Sequence, residues 1–166
     1  MGRESGYPID LRQAVDAFQA ACRAKGLSVT HQRLAVYEAV AGSRTHPGAD
    51  EIYRSVREKL PTISRGTVYR ILETLCRLGL VNDVKHARNA ARFEAALEPH
   101  HHLICLSCQR IIDVRDESLE RIKLGKSLGA EAAGFQVRGY QVQFTGYCGT
   151  CGGDGKRGKR SRPAVA

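Results

Sequence analysis

Four of the six cysteines fall in two Cys-x-x-Cys pairs, Cys105 with Cys108 and Cys148 with Cys151. No other feature limits the possible folds as much. Two such knuckles in a small chain predict a tetrahedral four-thiolate zinc site. The segment between them is longer than in a simple zinc ribbon, so the knuckles belong to separate elements that the metal staples together. Redox dithiols or disulfides are the competing reading. The clustering as knuckles and an N-terminus without an apolar signal-peptide core favour zinc in a reducing cytoplasm. A closed site of this kind is structural and contributes on the order of 10 kcal/mol to folding. Cys22 and Cys76 fall at apolar positions of predicted helices and read as buried small residues.

The first knuckle ends a stretch dense in metal-binding side chains. Three imidazoles, two thiols and a carboxylate fall within the fourteen residues from His100 to Asp113. Residues 100–106 lack Gly and Pro and read as a short strand. Side chains alternate faces along a strand, so His100 and His102 share one face and Cys105 lies on the other. One element then serves two metal sites. Imidazoles with carboxylates suit iron, manganese or zinc, and thiolates suit zinc. Spacing alone supports His100, His102 and Asp113, the last on a return strand over 110–114.

A net charge of +9 is unevenly spread: residues 1–85 carry 13 basic and 9 acidic groups, 86–151 carry 8 and 7, and 152–166 carry 5 and 1. An excess at both ends suits nucleic acid better than an acidic small substrate. No run is long and apolar enough to span a membrane. The expected class is α+β: an N-terminal winged helix-turn-helix DNA-binding domain over 1–97, a C-terminal α/β dimerisation domain with structural zinc over 98–151, and a disordered basic tail over 152–166. Glu98-Pro99 marks the boundary.

Apolar residues at three- and four-residue steps predict helices over 10–25, from Thr30 to about 41, over 49–60 and over 65–78. Thr30 and Ser64 are expected N-caps, and Gly79 a C-terminal cap. The last two helices, joined by Pro61-Thr62-Ile63-Ser64, have the form of a helix-turn-helix. Arg65, Thr67, Tyr69 and Arg70 point outward from its second helix. Arg contacts phosphate or guanine, Thr bonds phosphate and Tyr offers an apolar face to thymine methyls. Arg33 joins them as a DNA-binding candidate. Segments 80–86 and 91–95 predict the hairpin wing. In the second domain, 117–133 has helical period and the apolar pattern over 135–144 predicts one long strand bent at Gly139. Two hairpin strands and a long strand against one helix leave an open edge and an apolar face, which predicts a homodimer.

These pieces resemble the ferric uptake regulator family. The resemblance rests on His46-Pro47-Gly48-Ala49-Asp50-Glu51-Ile52-Tyr53, Ile63-Ser64-Arg65-Gly66-Thr67-Val68-Tyr69-Arg70, Arg92-Phe93-Glu94, the His100-to-Cys108 stretch and Gly146-Tyr147-Cys148-Gly149-Thr150-Cys151. It covers nearly the whole chain except the two ends. It implies a dimeric, metal-activated repressor of a double-stranded DNA operator. Structural Zn(II) falls on Cys105, Cys108, Cys148 and Cys151, and a regulatory Fe(II) or Mn(II) on His46, Glu94, His100, His102 and Asp113. Asp113 resembles the peroxide-sensing branch, where iron sensors usually have Glu. Glu94 points the other way, because the best-known peroxide sensors have Asp there. In the peroxide branch, Fe(II) with an open coordination position reacts with hydrogen peroxide and a ligand imidazole, here His46 or His100, is oxidised. A further metal site of some members is poorly matched, with Pro99 and Tyr140 standing in place of His and leaving His101 and Glu120. The competing readings are an iron- or zinc-responsive repressor of the same family, a metal-dependent hydrolase, and a zinc module binding RNA.

Overall fold

A computed structural model describes residues 10–84, 91–95, 100–121, 134–136 and 140–152. Four helices come first: α1 (Leu11–Ala24), α2 (His31–Ala41), α3 (Ala49–Lys59) and α4 (Arg65–Arg77). Each start is fixed locally. The Asp10 carboxylate accepts from the Arg12 and Gln13 N–H groups, Thr30 Oγ1 from Arg33 N–H and Ser64 Oγ from Thr67 N–H. Such caps are worth about 1 kcal/mol each. The ends of α1 and α4 are equally defined. Gly26 and Gly79 take φ +67° and +65°, and the Leu27 and Leu80 N–H groups reach back to the Cys22 and Leu75 carbonyls. A left-handed residue with this backward bond closes a helix, and glycine adopts it without steric cost.

The four helices close on one core. Phe18 and Cys22 of α1, Val36, Tyr37 and Val40 of α2, Ile52 and Val56 of α3, and Val68, Leu72 and Leu75 of α4 are all buried in it. Phe18 and Tyr37 stack with ring centroids 4.1 Å apart. Cys22 is a core residue and Cys76 packs partly buried against it, as expected. The hairpin follows as β1 (Asn82–Val84) and β2 (Arg92–Glu94), antiparallel, with Asn82 opposite Glu94. Phe93 turns into the helical core, so Arg92 and Glu94 face away from it. This is a winged helix. The hairpin tip and the boundary expected at Glu98-Pro99 lie outside the described residues.

A three-stranded sheet forms the second half, in the order β4 (Ile111–Val114), β3 (His101–Cys105), β5 (Gln143–Gly146). β3 and β4 are antiparallel and pair His102 with Asp113, whereas β3 and β5 are parallel and pair Cys105 with Gly146. Ile104 and Ile111 pack with Val84 of the wing in a small second core, so this sheet face meets the winged helix. Among the described residues no helix is long and apolar enough to cross a membrane.

One expectation lies mostly outside the described residues and one is corrected. The helix expected over 117–133 is described only as α5 (Glu117–Glu120); residues 122–133 lie outside the described ones. Among the described residues of the long bent strand expected over 135–144, only Gln143 and Phe144 are in a strand. Phe135 is 78% exposed and outside any strand, and β5 begins only at Gln143. Side chains claim the preceding residues. The Tyr140 hydroxyl donates to the Leu119 carbonyl, its ring stacks on His101, and the Val142 N–H donates to His101 Nδ1 at 3.1 Å. Apolar alternation predicts a strand only when the backbone N–H groups are free to pair.

Candidate metal centres

The two knuckles meet because β3 and β5 run in parallel. The Leu106 N–H donates to the Gly146 carbonyl at 2.7 Å, so both strands end together, and a short helix, α6 (Gly149–Gly152), closes the second knuckle. The four sulfurs lie within 4.8 Å of one another, with Cys108 Sγ and Cys148 Sγ 3.7 Å apart. A tetrahedron with metal–sulfur bonds of ~2.3 Å has edges of about 3.8 Å. Burial would raise the Cys105 thiol, but backbone N–H groups of Cys148, Cys108 and Ser107 outweigh it and lower it to about 6. Ser107 would lower the Cys151 thiol, but the neighbouring Cys148 and Cys108 sulfurs push it up to about 11. Protein groups alone therefore push Cys105 and Cys151 in opposite directions. A bound Zn(II) would favour the thiolate form of all four, and the donor set fits it.

The second cluster sits on the other face of β3, at the seam with the winged helix. His46, Glu94, His100, His102 and Asp113 each place a donor atom within 4.8 Å of all the others. Glu94 Oε2 is central, at 2.9 Å from His46 Nε2, 3.0 Å from His100 Nε2 and 2.9 Å from His102 Nε2. Asp113 Oδ1 lies 3.0 Å from His46 Nε2 and 3.6 Å from His102 Nε2. Donors ~2.1 Å from a metal and at right angles to one another are about 3.0 Å apart. Three nitrogens and two oxygens at such spacing fit Fe(II), Mn(II) or Zn(II).

The electrostatics fit a cation as well. Burial would lower the His46 imidazole, but hydrogen bonds to Asp113 and Glu94 outweigh it and raise it to about 9. Burial would likewise raise the Glu94 carboxyl, which hydrogen bonds from His100, His102 and His46 hold far below the carboxylate range. His100 and His102 face each other at 3.1 Å through Nε2 atoms, a contact that requires a shared proton or a cation. His102 is fully buried.

Local structure aims these groups. The β3–β4 register sets Asp113 directly opposite His102. The His46 backbone is left-handed, φ 49°, a conformation uncommon for a side-chain-bearing residue and one that collects at functional sites. Asn82, which sequence reasoning missed, donates from Nδ2 to Glu94 Oε1 at 3.3 Å. That occupies one carboxylate oxygen and leaves Oε2 at the centre. The signal for it is the cross-strand pairing of Asn82 with Glu94.

On the helix-turn-helix, Arg65, Tyr69 and Arg70 are exposed on the outer side of α4. The Thr67 hydroxyl lies 2.9 Å from Ser64 Oγ, within the cap of α4. Arg33 is half-buried, and its guanidinium donates to the Ser28 carbonyl at 2.8 Å. His101 is buried beside Tyr140 and accepts a backbone N–H, so its Nδ1 serves the fold.

A winged helix joined to a knuckle-bearing α/β half, with a mixed-donor cluster at the seam, defines a class of two-domain DNA-binding regulators. A sequence profile of the ferric uptake regulator family matches residues 24–145, and the chain belongs to that family. It is 30% identical over 139 residues to the peroxide operon regulator of Bacillus subtilis (strain 168), covering 84% of this chain and 91% of that one. Its fold resembles that of the Helicobacter pylori ferric uptake regulator Fur, with three functional metal binding sites, at TM-score 0.66 and 26% identity over 92% of this chain and 97% of that one. It also resembles the Campylobacter jejuni peroxide stress regulator, at TM-score 0.61 and 25% identity over 86% and 100% of the two chains.

Proposed function

We propose that this protein is a cytoplasmic, dimeric, metal-dependent repressor that binds operator DNA and releases it in response to hydrogen peroxide. The observation that carries this reading is the seam cluster. His46 and Glu94 come from the winged helix, His100, His102 and Asp113 come from the sheet, and all five donors converge. A cation held by both halves fixes their relative orientation. In a dimer it thereby fixes the spacing of two α4 helices against two half-sites.

Each residue then has a role. Cys105, Cys108, Cys148 and Cys151 hold Zn(II) within the domain assigned to 98–151. The five seam residues hold Fe(II) or Mn(II). Arg65, Tyr69 and Arg70 face DNA, and Thr67 fixes the start of their helix; Arg33 and the basic tail over 152–166 add phosphate attraction. For the dimer, Leu103 and Phe144 are register partners on β3 and β5, 43% and 41% exposed side by side. A second copy would cover them.

Held by these five residues, Fe(II) would activate hydrogen peroxide for transfer of one oxygen atom to a ligand imidazole, the other oxygen leaving as water. His46 or His100 would take that oxygen, and an oxidised ring is a poor donor, so the two halves would separate. Asp113, together with the similarity to peroxide regulators, supports this reading. Glu94 favours a second one, reversible iron or zinc occupancy as the signal.

Mass spectrometry separates them. Fe(II)-loaded protein given a brief, low dose of peroxide is expected to gain one oxygen atom on peptides carrying His46 or His100, and Mn(II)-loaded protein none. Intact imidazoles in both forms would transfer the assignment to metal sensing.

A further inference from the structure

We infer that Arg92 and Glu51 form a brace that transmits the state of the seam cluster to the helix-turn-helix. The inference rests on the metal-activated reading above and adds two positioning residues to it.

His46 is joined to α3 through Pro47 and Gly48, and a glycine between a ligand and a helix is a joint that can yield. A cation drawing His46 and Glu94 toward the sheet moves α3 only if that joint is held. It is held from two sides. On one, the Phe93 N–H donates to the Pro47 carbonyl at 3.0 Å, and Gly48 forms a bridge with Arg92. This fastens the loop to the strand that carries Glu94. On the other, Glu51 Oε2 accepts from the Gly48 N–H at 2.7 Å and from Arg92 Nη1 at 2.8 Å, while Arg92 Nη1 lies 3.5 Å from the His46 carbonyl. Charge-assisted bonds of this length are stronger than neutral ones, and solvent screening at the half-exposed Glu51 leaves them a modest link. One guanidinium thus ties both ligand-bearing segments to the first turn of α3.

That turn in turn touches the recognition helix. Asp50, adjacent to Glu51, has its Oδ1 3.4 Å from Arg65 Nη1, and the Arg65 guanidinium lies over the Tyr53 ring, 5.4 Å from its centroid. Arg65 is the first residue of α4. Contiguous contact alone does not establish coupling, which has to be measured as a change in linkage between sites. A helix cap with no other role would alter stability and leave that linkage intact.

The test compares the zinc-containing full chain with Glu51→Gln, Arg92→Lys and the double variant. The probes are Mn(II), which is inert to peroxide chemistry, and a DNA duplex selected from a random pool by the Mn(II)-loaded parent. Fluorescence anisotropy gives DNA affinity with and without Mn(II), and electron paramagnetic resonance of the free ion gives Mn(II) affinity. Each single variant is expected to bind Mn(II) like the parent in the absence of DNA while its metal-induced gain in DNA affinity falls about tenfold. The double variant should lose no more than either single one. Single variants that keep the parent's gain overturn the inference alone. Variants whose Mn(II) affinity without DNA falls as far as the gain also overturn it, because the pair then serves ligand placement. A parent with no gain overturns the metal-activated reading and the brace together.

Discussion

The thiolate cluster and the histidine–carboxylate cluster share strand β3 and are built in opposite ways. The thiolate cluster draws its four donors from two knuckles at the paired ends of β3 and β5, within one half of the molecule. The other draws five from the loop before α3, from β2, from the start of β3 and from β4, across a seam. A site within one domain stabilises that domain and carries no information about its neighbour. A site across a seam adds little to either domain but sets the relation between them. On the proposed reading, responsiveness to a metal therefore belongs to the second cluster, and the first steadies the sheet that carries His102 and Asp113. Alternation of faces along one strand lets both coexist without sharing a ligand.

The largest expected effect comes from the first cluster. Cys148→Ser leaves three thiolates and removes metal-linked folding free energy on the order of 10 kcal/mol. Zinc content should fall, and the C-terminal half should lose its cooperative thermal transition by circular dichroism. A zinc-free variant melting like the parent would remove the structural half of the contrast. Next comes His102→Ala, at the fully buried ligand of the seam. Mn(II) affinity should drop by more than about 100-fold, with zinc content and melting of the thiolate half close to the parent's. Loss of zinc from this variant would show that the two clusters are not independent.

What the sequence disclosed follows the range of the interactions involved. Thr30, Ser64 and Gly79 are legible because a cap is decided by residues three or four positions away, and the structure forms each one. The placement of His102 opposite Asp113 is legible too, because a short knuckle between two strands leaves little choice of register. His46 and Glu94 are another matter. They are 48 residues apart and bond at 2.9 Å, and nothing in one sequence links them. Their membership of the cluster came from resemblance to a family. The parallel pairing of β5 was unreadable for the same reason, and its late start depends on His101 capturing the Val142 N–H. Asn82 and the Arg92–Glu51 pair were missed because their meaning lies in cross-strand and strand-to-helix contacts whose register an apolar pattern does not report.

Asn82 gives the smallest expected effect and the finest test of the contrast. In the thiolate cluster the Ser107 side chain bonds the Cys151 thiol, but Cys105 is oriented by backbone amides, such as the Cys148 N–H at 3.4 Å from Cys105 Sγ. No side-chain substitution removes them. In the seam cluster the Glu94 carboxylate is steadied by a side chain, the Asn82 amide on Oε1. The seam's affinity can thus be tuned at its central carboxylate without touching a ligand. Asn82→Ala frees Glu94 to rotate, and Mn(II) affinity should fall about tenfold, less than for His102→Ala and with zinc content unchanged. The same free-ion titration reads this out. If Asn82→Ala binds Mn(II) as the parent does, strand β2 alone orients Glu94 and both clusters are set by backbone. The seam would then owe its responsiveness to its position between two halves, not to any adjustable partner of its ligands.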